Sequence, residues 1–233
     1  MEENRIWPGG ARDLPRRGFL ARAAGIVAVP FALVEAAGPA AGQPRRAGPQ
    51  HAAAPQDSWL ARLGGKHGQI FDTPALRGGQ PLQQVRNYLD AWRDAYGVPE
   101  GEIDAVVGVH GTAVPMLFQD PLWEKYALGK RSEVLDPRTG AAAVRNVFAA
   151  DPAGAVAPDA TVGALRERGA IFLLCNNSLK RLVGTLAGEG AGSAEAVRAE
   201  LVAGLIPGVE VVPAMVVAVG LAQEKGLSYA YLG

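Results

Sequence analysis

Residues 170–178 read A-I-F-L-L-C-N-N-S. Five apolar residues run together without polar alternation, then give way at once to two asparagines and a serine. A strand with one face in water alternates in polarity, whereas an unbroken apolar strand suits a parallel sheet covered by helices on both faces. The change after Leu174 marks a strand-to-helix junction, with Asn176, Asn177 and Ser178 suited to capping a first helical turn. Cys175, the only cysteine in 233 residues, sits on that junction.

Outward from this strand the chain alternates two periodicities. H67-G-Q-I-F-D72 reads as a first strand closed by Thr73-Pro74, and I103-D-A-V-V-G-V-H110 as a second, β-branched one. Between them, Leu82, Val85, Leu89, Trp92 and Tyr96 recur three or four apart and predict an amphipathic helix over 80–96 that stops at Gly97. Residues 112–127 are helical in pieces broken around Pro115 and Pro121. Residues 159–168 form a short helix with Val162 and Leu165 inward and Gly169 as its stop. After the strand at 170–174, Ser193 is an N-cap for a helix carrying Val197, Leu201 and Leu205, ended before Pro207-Gly208. V209-E-V-V212, a helix over 214–225 and the strand L227-S-Y-A-Y-L232 close the chain. Such alternation builds βαβ units, so the expected fold is a three-layer α/β/α sandwich with a mostly parallel sheet of about five strands. Residues 128–158 break the alternation. They read as an inserted loop, either a lid, an interface element or a disordered insertion. Its Arg138 and Arg145 could face an anion, but solvated surface charge is the favoured reading and the sequence leaves both open.

Composition sets the partners and the address. Lys plus Arg and Asp plus Glu each number 23, which removes the basic excess a nucleic-acid partner would want. The N-terminus is the exception to this even profile. P15-R-R-G-F-L-A-R22 precedes the 12 apolar residues of A23-A-G-I-V-A-V-P-F-A-L-V34 and the small residues A36-A-G-P-A-A-G42. A positive segment, a short apolar core and an Ala-rich cleavage region make an export signal. Arg16-Arg17 followed by Phe19-Leu20 resembles the twin-arginine type, which the twin-arginine translocase reads as an address. Residues 1–42 are thus expected to be a signal peptide, 43–58 a Pro/Gly/Ala-rich flexible linker, and 59–233 the folded domain. Removal of the signal leaves 18 Lys plus Arg against 19 Asp plus Glu. The expected location is periplasmic or secreted, without stable membrane insertion after cleavage. One cysteine excludes an internal disulfide framework.

Ligands of open parallel α/β sheets sit beyond the carboxyl ends of the strands, at helix N-termini. Two reactive side chains meet that description: His110, followed by Gly111-Thr112, and Cys175, followed by Asn176-Asn177-Ser178. A helix N-terminus offers free N–H groups and a partial positive charge, which favour thiolate over thiol. Lys180 and Arg181 add positive charge one turn on, and a neighbouring imidazole can take the thiol proton. Gly111, Thr112, Asn176, Asn177 and Ser178 are the expected ligand- or anion-binding residues. A free cysteine also packs well in a core, so this local reading leaves a structural Cys175 open. His51, His67 and His110 lack close ligand spacing, and Cys175 with His110 falls short of a zinc or copper set. No metal or other resident cofactor is expected, although paired subunits could complete a site. G184-T-L-A-G-E-G-A-G is no dinucleotide loop because no strand precedes it in the right place.

V106-V-G-V-H-G-T-A-V-P-M-L117, G169-A-I-F-L-L-C-N-N-S-L179 and A222-Q-E-K-G-L-S-Y-A-Y-L232 together resemble the DsrE/DsrF-like family over residues 59–233. The resemblance implies a strand ending in His-Gly, a later strand ending in cysteine, and a closing helix–strand with a Q-x-x-G-x-x-Y pattern. It implies an α/β/α domain that assembles into homo- or hetero-oligomers, often trimers or hexamers. It also implies passage of sulfur as a persulfide on the strand-end cysteine, Cys175 here, with His110 at the His-Gly position. The export signal and the 128–158 insertion depart from the cytoplasmic sulfur relays. Two functions are therefore expected. In one, Cys175 carries sulfane sulfur. In the other, the protein is a non-catalytic oligomeric module that binds a small ligand or metal, or a partner-docking subunit, with Cys175 structural.

Overall fold

A computed structural model describes residues 55–150 and 155–233. The expected signal peptide with Arg16 and Arg17, the expected linker up to residue 54, and residues 151–154 of the insertion lie outside the described residues. A 3-10 helical segment, Pro55–Arg62, comes first, beginning within the stretch read as linker. Strand β1, His67–Thr73, leads into helix α1, Gln80–Asp90, and this continues through a wider π turn, Ala91–Ala95. Strand β2, Ile103–Val109, is followed by a 3-10 stretch, Gly111–Leu117, and by the short helices α2, Asp120–Lys125, and α3, Leu128–Arg131. Beyond the insertion come helix α4, Val162–Glu167, strand β3, Ile171–Cys175, and helices α5, Asn176–Gly188, and α6, Ala194–Ala203. Strand β4, Glu210–Val212, helix α7, Met215–Glu224, and strand β5, Ser228–Tyr231, complete the fold.

The strands form one sheet in the order β4-β3-β2-β1-β5, every pair parallel. Handedness of the crossovers then dictates the layers. Stepping from β1 to β2, β3 and β4 proceeds in one direction, so right-handed crossovers place α1, α4, α5 and α6 on one face. The last connection runs back across the sheet to the far side of β1, and the same rule puts α7 on the opposite face. The molecule is a three-layer α/β/α sandwich with unequal outer layers.

Side chains alternate between these faces along each strand. Phe71, Val107, Val109, Phe172 and Leu174 belong to the larger core, with Leu82, Val85, Leu165, Leu179 and Leu201 from the helices. Ile70, Val106, Ile171, Leu173 and Cys175 belong to the smaller core, under Trp59, Met215, Ala218 and Ala222. Ser193 caps α6 by accepting from Ala196 N–H at 3.1 Å. Thr161 caps α4, accepting from Ala164 N–H at 3.1 Å.

The described part of the 128–158 insertion packs against the larger core through Val147 and Phe148, both fully buried. Two buried polar side chains fix it. Asn146 donates from Nδ2 to the carbonyls of Met116 (2.8 Å) and Phe118 (2.7 Å) and accepts from Phe148 N–H at 3.0 Å. Asp136 accepts from Arg145 Nε at 2.6 Å and Nη2 at 2.8 Å, and from Arg138 N–H at 2.9 Å. The Arg145 guanidinium, followed by the Arg138 amide, holds the Asp136 carboxyl below its ordinary value. Arg145 is therefore neither a solvated surface charge nor an anion ligand. It is the partner of a buried aspartate.

Candidate functional site

The carboxyl ends of β1, β2 and β3 converge on a cavity of about 440 Å³ on the face that carries α7. The register pairs Val109 with Leu174 and Thr73 with Val109, so the chain leaves β2 and β3 side by side at His110 and Cys175. Cys175 shares its side of β3 with Ile171 and Leu173, which directs its thiol into the smaller core and onto the cavity wall. Its relative exposure is 5 %, so small solutes in the cavity, not bulky surfaces, are what can reach it.

Gly108 and Gly111 keep the space and the turn. A Cβ on Gly108 would lie 2.4 Å from Met215 Sδ, so the bare backbone of β2 is what lets Met215 pack down onto the sheet. Gly111 has φ +58, and a Cβ there would lie 2.5 Å from Pro74 O. Only glycine meets both demands without strain. The turn is closed by Gly111 N–H donating to Ser178 Oγ at 3.0 Å, which ties the β2 exit to the first turn of α5.

The imidazole of His110 is held from β1. Its Nε2 lies 2.7 Å from Asp72 Oδ1, and the other carboxylate oxygen, Oδ2, accepts from the hydroxyl of Tyr229 on β5 at 2.8 Å. A carboxylate only accepts, so the bond puts the hydrogen of a neutral imidazole on Nε2 and leaves Nδ1 as its basic atom. Tyr229 responds to the same charge: its hydrogen bond to Asp72, ahead of burial, pushes the phenol up to about 12. Asp72 thus serves as the hub of a Tyr–Asp–His chain drawn from three adjacent strands.

The expected site residues divide cleanly. Cys175, His110, Gly111, Asn177 and Ser178 line the cavity. Thr112 does not, because its N–H and hydroxyl both turn to Pro74 O, at 2.9 and 3.4 Å. Asn176 also stays off the cavity wall, and its Oδ1 is buried with no partner among the described residues. The expectation that these side chains cap α5 is corrected: Cys175 occupies the N-cap position and no side chain caps the helix. Among the described residues no hydrogen bond joins Cys175 to His110, whose imidazole instead meets Asp72. Nor does any group of three His, Cys, Asp or Glu there come together at metal-ligand spacing.

Three polar cavity residues had no place in the sequence-based site, Asp72, Gln223 and Tyr229, and Arg181 was read there only as added positive charge. Gln223 and Tyr229 stand at the Gln and Tyr of the closing Q-x-x-G-x-x-Y pattern, which was the available signal for them. Asp72 gave only a polar residue at a strand end. Met215, Val216 and Val219 supply an apolar wall opposite the polar one. The insertion contributes no described residue to the cavity. No protein-family model matches this chain, and no curated protein matches it either.

Proposed function

We propose that this protein, exported by the twin-arginine route, accepts sulfane sulfur on Cys175 from a small donor and carries it as a persulfide. The observation that supports the reading most is the position of Cys175, only 5 % exposed yet on the wall of a cavity beside an imidazole oriented by a carboxylate. A nucleophile, a base and a group that orients the base are the parts needed to activate a thiol. In the step, His110 Nδ1 takes the thiol proton and the thiolate attacks the sulfane sulfur of R–S–SH. The donor S–S bond breaks as the Cys175–S bond forms, and the departing RS⁻ recovers the proton. Electrons balance, and no metal or resident cofactor takes part. In a compartment that oxidises exposed thiols, burial protects both the thiol and its persulfide.

The test is mass spectrometry of the purified protein after incubation with an excess of small persulfide. With one cysteine in the chain, a gain of one sulfur atom is assigned without ambiguity, and Cys175→Ser should lose it. An unmodified protein whose thiol alkylates only after unfolding would exclude the reading. The family resemblance adds a homo-oligomer to the proposal, which sedimentation analysis can count.

A second reading follows from the packing of Cys175 against Val212 and Met215 in an apolar cluster. Here the cavity binds a small ligand without chemistry and the thiol is a core residue. Under this reading Cys175→Ala leaves ligand retention by the natively exported protein unchanged.

A further inference from the structure

We infer that the donor selected by this cavity is itself a small organic anion, bound through Arg181, and this inference rests on the reading of Cys175 as the sulfur acceptor. Asn177, Ser178 and Arg181 lie within one turn of α5 and all three line the cavity. Two charged side chains of fixed sign face the space: Asp72 and Arg181. The carboxylate of Asp72 is committed, with one oxygen to His110 and the other to Tyr229. The guanidinium of Arg181 has no ion pair or hydrogen bond among the described residues, so its charge is the unbalanced one.

The N-terminal turn of α5 adds to the same field. No side chain caps it, and its positive end points toward the junction that carries Cys175. An anionic donor therefore gains at Arg181 what a neutral one does not. Opposite the cation, Met215, Val216 and Val219 offer an apolar surface for a short carbon chain. The class that fits is a carboxylate or sulfonate on a short hydrocarbon that ends in a persulfide. Transfer leaves Cys175–S–SH and releases the matching anionic thiol.

The test compares alkylation of Cys175 in the native protein by iodoacetate, an anion, and iodoacetamide, its neutral counterpart of nearly equal size. Both consume the thiolate, so the ratio of their rates cancels any change in thiolate fraction. Arg181 is exposed and its replacement leaves the core intact. In Arg181→Gln the iodoacetate-to-iodoacetamide ratio should fall about two- to fivefold, the scale of one partly solvated ion pair. Arg181→Lys should restore most of the ratio. Lys180→Gln, a charge removed beside the cavity but not on its wall, should leave it unchanged. A ratio equal in wild type and Arg181→Gln overturns anion selection while leaving persulfide formation intact. Equal losses in Lys180→Gln and Arg181→Gln also overturn it, since the effect would then be a diffuse field. A falling ratio with no persulfide formed from any donor keeps the anion site and removes the sulfur-acceptor reading. A native thiol inert to both reagents removes both.

Discussion

Asp72 gives one oxygen to His110 and the other to Tyr229, and so couples two ionisable groups that approach from opposite sides of β1. The phenol has its pKa raised from 10.0 to about 12 mainly by this bond. A raised acid is bound more tightly in its protonated form, so the Tyr229 contribution to stability is complete below pH 10 and is lost as pH rises through 12. In Asp72→Asn the phenolate absorbance assigned by difference with Tyr229→Phe should titrate nearer 10. The same substitution frees His110 to take either tautomer, and persulfide formation on Cys175 should slow about a hundredfold, within the usual range for loss of an oriented base. An unchanged rate alongside the shifted phenol would show that Asp72 acts on Tyr229 alone. The sequence could not point to Asp72. A single aspartate ending a half-buried strand resembles any solvated strand end, and Tyr229 lies 157 residues away. Cys175 and His110 were legible because each ended an apolar strand and began a turn.

At the scale of elements, the strands and main helices were legible because periods of two and 3.6 are imposed by geometry and by one buried face. The insertion was not, since isolated polar anchors hold it instead of a repeating apolar pattern. Asn146 alone satisfies two carbonyls of the 3-10 stretch and its exit, and receives one amide of its own segment. Asn146→Ala should therefore cost about 2–3 kcal/mol in chemical denaturation, because buried partners are left without water or protein in exchange. Asn146→Asp keeps the acceptor and loses the donors, and should be no better. A cost below about 0.5 kcal/mol would mean that the insertion is a surface appendage. The wider turn after α1 has a local accompaniment in the stacking of Trp92 on His67 at 3.7 Å, far along β1 from the cavity.

For the whole molecule, the unequal layers concentrate the chemistry on the thinner side. Only α7 and the Pro55–Arg62 segment supply described helices to the face that holds Cys175, and Trp59 is the largest side chain there. Trp59 is fully buried while its Nε1 lacks a partner among the described residues. Trp59→Ala should cost about 3–5 kcal/mol and speed alkylation of Cys175, whereas Trp59→Phe, which also removes the orphaned N–H, should cost less. If the alanine variant is destabilised but the thiol reacts no faster, the thiol is reached solely through the cavity.

The return of the chain across the sheet also sets an order in time. Every cavity residue contributed by the α7 face, from Ala214 to Tyr229, follows all the other cavity residues in sequence. On the ribosome β1 remains an unpaired sheet edge until β5 emerges. Until then Asp72 has no tyrosine and Cys175 has no Met215 above it. The pocket therefore cannot exist before residue 229 has emerged, and a chain stopped short of residue 214 would present a bare thiol in place of a guarded one.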